Sequence, residues 1–133
     1  MTALPNSRQR DLVKCEDMRL HAERAREFLG SRSLDEFLAD ELVQSAVVRC
    51  VEVIGEAARM VSDQTRRRVP GIPWTLIVGM RHILAHDYGV VNLDKVHDVV
   101  TRHVPALIAE LEPLIAALEA DVGWSDESGS AED

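Results

Sequence analysis

A chain of 133 residues has room for one domain and a single core, and with 46% hydrophobic but only 4% aromatic residues that core must be built from Val, Leu, Ile and Ala, which suits packed helices. The net charge of −8 weighs against nonspecific coating of nucleic acid, which needs a positive surface; yet Asp126, Glu127, Glu132 and Asp133 crowd the last residues, leaving −4 over 1–122 and room for a local basic patch. Apolar runs are short and broken by charges, and the N-terminus lacks a secretory pattern, so a cytoplasmic protein without membrane contact is expected.

Residues 7–29 place Leu12, Cys15, Ala22, Ala25, Phe28 and Leu29 at helical spacing, and Gly30 should end that helix. Ser33 followed by Glu36 is a capping box, so a second helix starts there, with a break expected near Ala39 or Asp40. Its long stripe, Val47, Val51, Ile54, Ala58 and Val61, has the three-and-four spacing of a buried face. Gly55 costs that helix about 1 kcal/mol relative to alanine, a cost that a close helix crossing would offset. Arg66, Arg67 and Arg68 read as a solvated loop or a contact for an acidic partner. Pro73 and Trp74 restart the chain as a third helix whose stripe is Leu76, Met80, Ile83 and Leu84 and whose end is Gly89. Leu93, Val96, Val100, Leu107, Leu111, Leu114 and Leu118 describe a fourth, which Pro105 should kink or split. The expectation is an all-α, up-and-down bundle of four to five helices over 1–122, with a disordered acidic tail over 123–133. Cys15 and Cys50 lack metal or redox spacing and read as buried free thiols; His21, His97 and His103 read as ordinary surface or boundary histidines.

The chemistry concentrates in Gly79–Val90, "GMRHILAHDYGV". On an ideal helix turning about 100° per residue, Tyr88 nearly eclipses Arg81 while His86 lies roughly 140° away, so one straight helix cannot aim Arg81 and His86 at one phosphate. Either the helix unwinds around His86, or two copies meet across a symmetry axis and pool their side chains. An arginine offers a planar, permanent charge for a phosphodiester, and a histidine exchanges protons near neutral pH. Together they suffice to cleave RNA without metal, since the neighbouring 2′-hydroxyl is the nucleophile. His82 and His86, four apart, could instead bind a metal, but no third ligand is evident; an Arg and a His at a helix end can also be plain surface or interface residues.

The run Arg81-His82-Ile83-Leu84-Ala85-His86-Asp87-Tyr88 resembles the R-x-x-x-x-H-x-Y pattern of the HEPN superfamily. The segments "FLADELVQSAVVRCVEVIGEAARMV", "IPWTLIVGMRHILAHDYGV" and "HVPALIAELEPLI" resemble, in order, three segments of its HepT-like toxins. That resemblance implies a helical homodimer whose cleft is lined by the motif of both subunits. It also implies endoribonuclease activity that needs no metal or other cofactor and is assigned to Arg81 and His86. The implied partners are an RNA substrate and a nucleotidyltransferase antitoxin that neutralises the toxin by transferring AMP to Tyr88. HEPN proteins of this type often carry Asn after the arginine; His82 stands there in this chain and keeps a polar group at the position. A noncatalytic HEPN dimer that binds a nucleotidyltransferase or RNA is the alternative, and the acidic charge is its support. A purely structural dimer would leave the spacing of Arg81, His86 and Tyr88 unexplained.

Overall fold

Asn6 and Gln9 cap each other at the start of the first helix: the Asn6 side chain accepts from the Gln9 N–H, and the Gln9 side chain accepts from the Asn6 N–H. The computed structural model describes residues 6–85 and 91–131, and for 81–83, 85 and 124–131 the backbone alone. Helix α1 (Ser7–Leu29) ends at Gly30, whose φ of +59° few side-chain-bearing residues adopt and whose N–H closes on the Arg26 carbonyl. Its buried face is Asp11, Cys15, Met18, Ala22, Ala25 and Leu29, a regular three-and-four alternation. Phe28 lies off that stripe and is partly exposed, because Leu29, about 100° further round, takes the buried position.

The Ser33–Glu36 capping box opens the short α2 (Leu34–Leu38), and Asp40 caps α3 (Glu41–Met60) by accepting from the Val43 N–H. The break expected at Ala39–Asp40 is therefore a change of cap, and the Gln44 amide seals it by donating to the Phe37 and Leu38 carbonyls. Val47, Val51, Ile54, Ala58 and Val61 are all buried, as is Gly55. Helix α3 packs along α1 on one side and against α5 (Trp74–Ala85) on another, while α7 (Val104–Ala131) closes over α1. Ala22, Ala25, Ala57 and Ala58 are buried within this packing, and such small side chains permit close helix approach. Each of the larger buried side chains, among them Met18, Phe37, Ile54 and Leu111, contributes on the order of 1.5–3 kcal/mol through burial.

Between α3 and α5 the arginine run divides. Arg66, at the end of α4 (Asp63–Arg66), donates to the Ala58 and Arg59 carbonyls in the last turn of α3, the former shared with the Val61 N–H, and its guanidinium lies 5.9 Å from the Trp74 ring centroid. Arg68 pairs with Asp121 of α7 at 2.9 Å, and Arg67 is exposed. Two of the three thus fasten the chain to itself rather than forming a solvated loop. The buried Asp11 carboxylate accepts from the Ser62 N–H and from the Ser62 and Thr65 hydroxyls, tying α1 to the start of α4.

Asn92 caps α6 (Leu93–Asp98), which runs through a π-helical turn (Val99–His103) into α7. The turn answers Pro105, whose ring would clash with the Thr101 carbonyl in a tight α-helix; widening the preceding turn relieves the clash without splitting the helix, and the Val104 N–H reaches Val99 instead. Val96, Val100, Val104, Leu107, Leu111, Leu114, Ile115 and Leu118 form the buried face. The exposed Pro113 sits inside α7, where the carbonyl it leaves open can meet water. The α7 backbone is helical through Ala131, into the segment 123–133 that composition read as a tail; extending a formed helix needs no new nucleus. The described residues contain no strand, and the all-α class is the one the periodicity demands.

Candidate functional site

Helix α5 carries the first part of the motif. Pro73 precedes it with φ preset, and the Trp74 indole N–H donates to the Val69 carbonyl, locking the entry angle. Trp74, Ile77 and Leu84 face the core. Leu76, assigned to the core stripe from spacing, is instead 72% exposed, because the buried Trp74 and Ile77 fix the helix rotation. Arg81 and His82 belong to the last turn of α5 as backbone positions; their side chains, like that of Ile83, lie outside the described residues. His86, Tyr88 and the expected helix end at Gly89 also lie outside them.

What surrounds α5 is described. On one side Met80 and Leu84, the neighbours of Arg81 on that helix, share a narrow cleft with Val51, Lys95, Val96 and Val99. On another, Leu76, Ile77 and Met80 form one wall of an apolar groove of about 350 Å³, faced by Val104, Leu107 and Glu110. Gly79 opens outward: a Cβ placed there would meet nothing within 4 Å. One carboxylate oxygen of Glu110 is buried without a hydrogen-bond partner, tucked where Gly71 lacks a side chain.

Several other titratable groups are held elsewhere in the fold. Burial, reinforced by Asp11 and Glu16, pushes the Cys15 thiol up to about 12, and burial raises Cys50 as well, so neither is a nucleophile near neutral pH. Both are free and buried, as their apolar neighbours led us to expect. His97 donates through Nε2 to the Arg32 carbonyl and packs on Phe37, so it fastens α6 to the chain before α2 rather than lying idle at the surface. His21 is bonded to the Asp17 carbonyl, and His103 is exposed 3.8 Å from Asp98. Arg32, Arg49, Arg59, Arg68 and Arg102 each meet a carboxylate within 4 Å. Lys95 is exposed and meets no carboxylate among the described residues. Sequence reasoning missed Lys95 and the open Gly79; neither carries a motif, and only packing reveals them. No described helix is long and apolar enough to cross a membrane.

Comparison with known proteins agrees with this architecture. The family model described as "Ribonuclease HepT-like" matches residues 18–114, from α1 into α7. A Methanocaldococcus jannaschii protein named "Putative RNase" is 35% identical over 95 residues, covering 71% of this chain and 78% of that protein. A Thermococcus cleftensis protein named "Probable ribonuclease HepT" is 33% identical over 99 residues, covering 74% of this chain and 90% of that protein. A Caldanaerobacter subterraneus protein, again named as an RNase, is 31% identical over 93 residues, covering 67% of this chain and 83% of that protein. No solved structure gives a significant match. With the family model spanning well over half of the chain and three relatives named as RNases, the chain belongs to the HepT-like ribonuclease family and is an RNase of HEPN type.

Proposed function

We propose that the chain is the toxin of a toxin–antitoxin pair, an endoribonuclease that cuts RNA without metal at a cleft shared by two copies. Arg81 stabilises the charge that builds on phosphorus, while His86 assists deprotonation of the 2′-hydroxyl or protonates the leaving oxygen. His82 supports the site as a second polar group. The observation that carries this reading is the outward face of α5: Leu76 is 72% exposed, Gly79 is open, and both stand on the helix that holds Arg81. A symmetric copy crossing there would cover the apolar groove and bring two motif segments together, which answers the angular separation of Arg81 and His86. A nucleotidyltransferase antitoxin would silence the site by transferring AMP to Tyr88, placing negative charge where RNA phosphate binds.

The experiment is digestion of RNA by purified protein with and without EDTA, followed by incubation with a nucleotidyltransferase encoded beside it, ATP and Mg²⁺. Cleavage should persist in EDTA, and the protein should gain mass in AMP-sized steps at Tyr88 as cleavage falls. Tyr88→Phe should block both the mass gain and the silencing. A strict metal requirement would move His82 and His86 to the ligand reading; modification of another residue would defeat the proposed switch; RNA binding without cleavage would favour the noncatalytic module.

A further inference from the structure

The chain has two lysines, and one of them, Lys95, stands beside the motif helix. It shares the cleft of Met80 and Leu84, positions that lie one before and three after Arg81 on α5. Residues four apart on a helix share a face, so α6 borders the Met80–Leu84 face of α5, the face adjoining the position of Arg81. Val96 and Val99 fix this arrangement: Val96 is buried and Val99 packs against the core, which holds the α6 backbone and leaves Lys95 exposed at the cleft's edge.

Among the described residues no carboxylate meets its ammonium. Asp98, one turn on, is engaged by Arg102 at 3.0 Å and faced by His103, so it does not draw the ammonium away. Five arginines, by contrast, are each neutralised by a carboxylate of the same chain. In a protein of net charge −8, an exposed cation across a narrow cleft from the α5 turn that holds Arg81 is a place where a polyanion gains. An ammonium on a flexible stem acts as a point charge and suits a phosphate whose exact position varies with sequence.

From this juxtaposition we infer that Lys95 is a substrate-positioning residue that holds an RNA backbone phosphate next to the scissile one. The inference rests on the RNase reading and adds to it a contact outside the R-x-x-x-x-H-x-Y segment. Lys95 acts on binding rather than on bond making: it favours any single strand crossing the cleft, without regard to base.

Two measurements test it. Binding of a 2′-O-methyl RNA oligonucleotide, which cannot be cut by attack of its own 2′-hydroxyl, is titrated over a range of salt concentrations, and cleavage of the matching RNA is followed under single turnover. Lys95→Ala should weaken binding about five-fold near 0.1 M salt and flatten the log–log salt slope by about 0.7, the value of one lost phosphate contact on a single strand. Its cleavage rate at saturating protein should stay within about two-fold of wild type, and Lys95→Arg should restore binding. Arg49→Ala, which removes an exposed arginine of α3 already paired with Glu52, is the control and should leave the slope unchanged. If wild type cleaves but Lys95→Ala keeps both affinity and slope, the inference is overturned while the RNase reading stands. A loss confined to the saturated rate also overturns it. A wild-type protein that neither binds nor cuts RNA would remove the reading on which it rests.

Discussion

Replacing Asp11 by alanine should be the most damaging single change outside the apolar core. Its carboxylate is 3% exposed and accepts three hydrogen bonds, from the Ser62 N–H at 2.9 Å and from the Ser62 and Thr65 hydroxyls. A hydrogen bond to a charged group is worth roughly 1.5–3 kcal/mol, but the three share one desolvated carboxylate, so their values do not simply add. The loss is worked instead from what stays behind: a half-buried N–H and two hydroxyls, of which the hydroxyls can rotate toward each other. A net cost of about 3–4 kcal/mol follows. In a domain of this size that lowers Tm by on the order of 10–15 °C. Asp11→Asn keeps one acceptor oxygen and turns a donor toward the hydroxyls, so it should fall between wild type and alanine. Urea unfolding followed by circular dichroism measures the effect as a shift of midpoint at constant slope. A loss below about 1 kcal/mol for the alanine variant would refute the view that this carboxylate anchors α1 to α4.

Two further outcomes follow from the same geometry. Because the folded Cys15 thiol is raised to about 12 while an unfolded one titrates near its ordinary value of 9, the folded chain holds a proton that the unfolded chain has released. Stability should therefore fall as pH rises from about 9 toward 12, with a contribution of up to roughly 1.4 kcal/mol per pH unit from this group, and Cys15→Ala should flatten that slope. Unfolding midpoints taken across the alkaline range check it. Leu76→Arg should leave the fold intact, since that side chain is 72% exposed, yet should convert a dimer to a monomer and abolish RNA cleavage; sedimentation of the variant beside wild type decides, and an unaltered dimer would move the proposed interface off α5.

The helix bounds were legible because their signals are local. Gly30 after Leu29, Ser33 with Glu36, and Asp40 before the long stripe each satisfy backbone groups within a few residues, and the chain obeys them. The rotation of α5 was not legible, since Leu76 and Ile77 are equally apolar and only the docking of Trp74 and Ile77 chooses between them. Arg66 and Arg68 misled for a similar reason: a run of arginines reads as solvated until the last carbonyls of α3 and the carboxylate of Asp121 are placed beside it. Asp11 carried no sequence signal, because its partners are more than fifty residues away. The motif could be read from spacing alone, and of its polar members only the backbone of Arg81 and His82 is described, whereas Lys95 became visible only through the cleft it shares with Met80 and Leu84.

We propose Arg81 and His86 as the groups that cut RNA. Single-turnover cleavage of an end-labelled RNA by wild type, Arg81→Ala and His86→Ala, in EDTA and with product ends identified, measures this. Attack by the 2′-hydroxyl should leave 2′,3′-cyclic phosphate ends in the wild-type reaction, and each variant should lose at least about 100-fold in rate while keeping its helicity. A His86→Ala protein that cleaves at the wild-type rate, once contaminating nucleases are excluded, would contradict the account.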